Sequence, residues 1–164
     1  MIKLFTSFGG LVLAILALWL YNPTPKHTHT HAGFRIYLNG VLQDYSDPKY
    51  MNYTLCSEHD EQKTPVEEQM ERAHLHDQVG DVVHVHRAEA TWGDLLANIN
   101  VDLGEDLSAY VNGEKVADIF DQEITAYSTA IFVLGEDNQV LGKEVIPIER
   151  IKQVESASEL CGTT

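Results

Sequence analysis

The pattern of apolar and polar positions divides the chain into an apolar head and a mixed remainder. Leu4 to Tyr21 is an almost unbroken apolar run, and its Leu11–Leu20 stretch carries no charge. At about 18 residues it reaches the lower limit for a helix that spans a bilayer. Trp19 and Tyr21 at its outer end suit the membrane interface. Lys3 on the other side favours an N-in, C-out orientation, a signal that Lys26 weakens. Pro23 and Pro25 follow where a cleavable leader would carry a small-x-small site, so residues 1–21 read as an uncleaved anchor, with a cleaved signal peptide as the rival. Either one exports the rest of the chain. Residues 22–33 read as a polar linker that proline keeps extended.

Periodicity then predicts the elements of a domain over residues 34–150. Phe34–Leu38 alternates, Asn39-Gly40 is the favoured type I′ pair, and Val41–Tyr45 returns, which makes a hairpin. Thr64-Pro65-Val66-Glu67 combines proline at the first helical position with a capping box, so a short helix ends near Arg72. Val82–His86 alternates with β-branched residues and reads as a strand, which residues 73–78 pair with through a turn at Gly80. Thr91 and Asp94 form a second capping box, and Trp92, Leu95, Leu96 and Ile99 then recur at helical spacing. Leu107–Val111 is a strand ending at Asn112-Gly113, and Ala130–Leu134 is a buried strand. Residues 136–139 turn toward a strand-like Glu144–Ile146, and the tail 151–164 opens as an amphipathic terminal helix. The expected class is α+β: a mixed sheet with one packed helix, behind a single N-terminal membrane helix.

The order hairpin, helix, strand, strand is that of the β-grasp fold. Thr91-Trp-Gly-Asp-Leu-Leu96 and Tyr110-Val-Asn-Gly-Glu114 resemble the helix start and strand end of the small ubiquitin-like sulfur carriers of thiamine and molybdopterin synthesis. The resemblance covers residues 90–134, roughly a third of the chain, and implies a fold only. Sulfur transfer needs a C-terminal Gly-Gly, and this chain ends Leu160-Cys-Gly-Thr-Thr164.

Composition narrows the partners. Against 25 Asp and Glu stand 11 Lys and Arg, a net charge of -14, and no acid precedes Asp44. Such a domain repels phosphate backbones, which excludes nucleic acid as a partner, and it attracts cations. Two cysteines, Cys56 and Cys161, lack the spacing of a zinc or redox motif. In an exported domain they suggest one disulfide; two unrelated buried thiols are the alternative.

The candidate chemistry lies in histidine. Seven of the eight fall in His-x-His patterns: His27, His29 and His31; His74 and His76; His84 and His86. Side chains two apart share one face of a strand, so Val83 and Val85 turn to the helix and His84 and His86 turn away. With His76 opposite His84 and His74 opposite His86, a loop centred on Gly80 gathers four imidazoles on the open face of the sheet. Neutral imidazoles are good ligands for Zn or Cu, so these four form the expected divalent-metal site. Binding would weaken as pH falls through roughly 6.5, the ordinary imidazole pKa. Asp77, Asp81 and Glu89 are carboxylates that would ligate or orient imidazoles. His27, His29 and His31 are secondary candidates: a mobile tether, or further ligands if the strand from Phe34 extends backward. The leading function is metal binding by a membrane-anchored extracytoplasmic domain. The alternatives are a non-catalytic accessory subunit of a membrane complex, with the histidines incidental, and a metalloenzyme. No nucleophile or general-base arrangement is visible in the sequence.

Overall fold

The computed structural model describes residues 27–53, 63–104, 106–135 and 145–157. The apolar head, Cys56, Cys161 and residues 136–144 lie outside them, and with these the expectations of an anchor, a disulfide and a turn at 136–139. No helix among the described residues is long and apolar enough to cross a membrane.

The described chain is α+β. Its strands are β1 (His27–Leu38), β2 (Val41–Leu42), β3 (Ala73–His74), β4 (Val82–Arg87), β5 (Leu107–Val111), β6 (Glu114–Val116) and β7 (Thr129–Leu134). Its helices are α1 (Pro65–Arg72), α2 (Trp92–Asn98) and α3 (Ile148–Ala157). They build one mixed sheet in the order β3-β4-β1-β7-β5-β6, with β2 also paired to β1. The pair β1–β7 at its centre is parallel, and the other strand pairs are antiparallel.

Local signals explain the elements. Thr64 and Thr91 each accept a hydrogen bond from the backbone of the third helical residue, while Glu67 and Asp94 reach back to the cap, so both expected capping boxes form. Asn39 and Gly40 both hold positive φ, at 48° and 79°, the backbone a type I′ turn requires. The hairpin they close is short, since β2 has two residues. Val145 and Ile146 are not in a strand and lead directly into α3.

The two faces of the sheet bury different cores. On one, Phe34, Ile36, Val83, Val85, Ala109 and Phe132 pack against Trp92, Leu95, Leu96 and Ile99, all buried. On the other, Val82 packs with Ile146, Ile151 and Val154, which docks α3. Gly33 permits that docking, because a Cβ there would lie 2.5 Å from Ile146 Cβ. Arg150 adds two hydrogen bonds to Asp81, at 3.0 and 3.1 Å.

Candidate metal centre

Three strands deliver the histidines to the face that α3 covers. Val83 and Val85 belong to the α2-side core, so His84 and His86 point to the other side. On β1, Ala32 and Phe34 belong to that core too, so His31 shares the face of His84. Cα pairing sets His31 opposite His84 and His74 opposite His84, so these three form one row across β1, β4 and β3.

This arrangement corrects the expected register. His84 opposes His74, not His76. The turn is made by Asp77 and Gln78, both at φ 57°, while Gly80 serves a close approach: a Cβ on it would collide with the backbone of Tyr45 and Ser46. Leu75 leaves the ladder to bridge Met51, which ends β3 after two residues. The slip is two residues, an even number, so His74 keeps the face assigned to it. The face itself is not open. His31, His74, His76, His84 and His86 are each at most 4% exposed. His27–Gly33, expected in a linker, form the first half of β1, as the backward extension of that strand requires. His29 lies within this half and is exposed.

The rings make one continuous cluster. His84 is its hub, with ring centroids 3.5 Å from His76 and 3.9 Å from His31. His86 stacks between His29 and His74, at 4.9 and 5.2 Å. Among the described residues, His29, His31 and His84 offer ligand nitrogens that all lie within 4.8 Å of one another. Two nitrogens bound at 2.0–2.1 Å to a tetrahedral ion sit about 3.4 Å apart, so small side-chain adjustments close the trio on a metal. His74, His76 and His86 border this trio.

Hydrogen-bond partners fix the tautomers. Carboxylates and carbonyls only accept, so each imidazole nitrogen facing one carries the proton. His76 Nδ1–H donates to Asp77 Oδ2 at 2.6 Å. In the neutral ring Nε2 then accepts, and His84 Nδ1–H donates to it at 2.7 Å. The lone pair of His84 is thereby placed on Nε2. His74 Nδ1–H donates to the Met70 carbonyl at 2.8 Å, near the end of α1, and its Nε2 also keeps a lone pair. Glu155 Oε1 lies 3.4 Å from His31 Nδ1, an ion-pair distance rather than a hydrogen bond, and its charge favours the proton on that nitrogen. Both His31 nitrogens are buried with no hydrogen-bond partner, a state that costs about 1–3 kcal/mol for a polar atom unless something binds it.

Burial favours the neutral form of His31, His74, His76 and His84. His31 is lowered from 6.5 to about 4 by burial and then by His29, with Glu155 opposing. His74 is lowered to about 4 by burial, with the Met70 carbonyl opposing. Burial also lowers His76, against Asp77. His84 falls far below the ordinary imidazole range through burial and the four neighbouring imidazoles His31, His76, His74 and His86. Neutral imidazole is the ligating form, so at neutral pH these nitrogens need shed no proton to bind a metal. The cluster can hold a metal ion.

The other candidates separate. Asp77 orients His76, whereas Asp81 is committed to Arg150 on α3. The Glu89 carbonyl accepts from Arg72. Glu155 is the residue that sequence reasoning missed; its only signal was its place in an acidic, amphipathic C-terminal segment. No protein-family model, curated protein or solved structure matches this chain.

Proposed function

We propose that this chain is a membrane-anchored, extracytoplasmic protein that binds a first-row divalent transition ion, Zn or Cu, through imidazole. His31 and His84 are the inner ligands, His29 is the third, and His74, His76 and His86 complete a bordering reserve of donors. One observation carries the reading: the ligand nitrogens of His29, His31 and His84 lie within 4.8 Å of one another, and the buried ring nitrogens of His31 have no hydrogen-bond partner. His84 also gives its Nδ1 proton to His76, and metal-bound imidazoles in general hold their second nitrogen in a hydrogen bond of this kind. The net charge of -14 supports it further by concentrating cations around the domain. The fold is read as β-grasp-like. The supporting features are the antiparallel pair β1–β4, the helix α2 after it, and the strand order β4-β1-β7-β5-β6 around the parallel pair β1–β7.

Calorimetry with Zn on the full chain in detergent tests the metal reading. His31→Ala plus His84→Ala should reduce affinity by at least a hundredfold, and His74→Ala by less. Equal affinity in the double variant would sink it. The apolar run Leu4–Tyr21 supports the anchor. Full-length chain should resist alkaline extraction from membranes, whereas a chain starting at residue 22 should not sediment with them; release of the full-length chain by alkali overturns the anchor.

A further inference from the structure

The C-terminal helix α3 carries one residue into the histidine cluster. Glu155 uses both carboxylate oxygens. Oε1 lies 3.4 Å from His31 Nδ1, and Oε2 accepts the Tyr127 hydroxyl at 2.8 Å. Tyr127 itself is held at φ 58°, a left-handed backbone that a bulky residue seldom adopts. Its backbone N–H donates to the His31 carbonyl at 2.8 Å. Two independent contacts of Tyr127 therefore bind the loop before β7 to His31 and to the carboxylate above it. The rest of the α3 docking is Ile151 and Val154 packed with Val82, Ile146, Val79 and Tyr127, the Lys152 ammonium 5.6 Å from the Tyr127 ring centroid, and the Arg150–Asp81 pair. A ten-residue helix is marginal by itself, so these contacts decide whether it stays down.

We infer that Glu155 is the positioning carboxylate of the metal centre and that α3 is a clasp which a bound metal tightens. The inference rests on the metal reading above. A cation on His31 Nε2 withdraws charge from the ring and makes its Nδ1–H a stronger donor. The contact to Glu155 then contracts from 3.4 Å toward the range of a charge-assisted hydrogen bond, about 2.7–2.9 Å. Docked α3 thus favours bound metal, and by linkage bound metal favours docked α3 to the same extent. Glu155 touches the ion only through His31.

Hydrogen exchange on the full chain in detergent, with and without Zn, tests this together with Zn titration. In the wild type, Zn should slow exchange of the amides of residues 148–157. Glu155→Gln keeps the size and one of the two acceptor oxygens, enough for the Tyr127 hydroxyl, but removes the charge and the second acceptor facing His31. It should leave the metal-free exchange of α3 nearly unchanged, abolish the Zn-dependent slowing, and weaken Zn affinity about 10–100-fold, as loss of an orienting partner does. Glu155→Asp retains the charge on a shorter arm and should lose less affinity than the glutamine variant. If Zn binds the wild type but leaves α3 exchange unchanged, or if Glu155→Gln binds within twofold of wild type, the clasp is wrong and the metal reading stands. If Zn does not bind the wild type, the metal reading fails and takes the clasp with it.

Discussion

His31 and His74 are buried as neutral rings, and this sets how the domain meets acid. Each has a folded-state pKa of about 4 against 6.5 when exposed. Between those values the unfolded chain binds protons that the folded chain refuses, so stability falls as pH falls from 6.5 toward 4. By pH 4 the loss is about 3 kcal/mol per histidine. Carboxylates titrate mostly below this window, so the upper part of it, near pH 6 to 5, reports the histidines. Urea denaturation of the metal-free protein should show midpoints dropping steadily there, and His31→Asn plus His74→Gln should flatten the slope. A wild-type midpoint constant from pH 6.5 to 5 would contradict the burial of neutral imidazoles. The same shifts move the acid limit of metal binding. Free imidazole would lose its metal near pH 6.5, whereas burial of His31 lowers the pH at which protons compete for its nitrogens.

At the scale of elements, the core of α2 gives the plainest test. Leu96 is 2% exposed and packs in the cluster that includes Trp92 and Phe132. Leu96→Ala should cost about 2–5 kcal/mol, read as a lower denaturant midpoint at an unchanged slope. A loss below about 1 kcal/mol would mean that α2 does not seal the sheet. Helix α2 was legible in the sequence because its signals are local: a capping box, then apolar residues at helical spacing. The faces of the histidine strands were legible for a similar reason, since alternation with Val83 and Val85 fixes direction. Their register was not. Alternation is blind to a slip of two, and the observed pairing goes with non-local contacts such as the Leu75–Met51 bridge, the close approach of Gly80 to Tyr45 and Ser46, and the Asn98 amide on the Ala73 carbonyl. The first half of β1 was hidden differently. His27-Thr-His-Thr-His31 has no apolar position to mark a strand, and it forms one because β4 pairs with it over a long sequence separation. Glu155 was hidden because no local pattern links a residue of the last helix to His31.

For the whole molecule, the decisive property is that the histidine cluster, the proposed metal centre, exists only when the fold does. Its parts come from β1, β4, the segment around β3 and α3, which no short stretch of unfolded chain brings together. A ligand that binds the folded state alone stabilises it by RT ln(1 + [L]/Kd), about 2.7 kcal/mol at a hundred times Kd. For a domain of roughly 140 residues this raises the melting temperature by about 9 °C. The rise should grow with the logarithm of free metal and follow the imidazoles: present in the wild type, absent after His31→Ala plus His84→Ala, and lost at pH values near 4. Scattered surface histidines would act differently. They bind the unfolded chain about as well as the folded one, which leaves the melting temperature unchanged or lowers it. Differential scanning calorimetry over a Zn series separates the two cases, and a flat response at Zn concentrations that calorimetric titration shows to be saturating would overturn the preassembled centre.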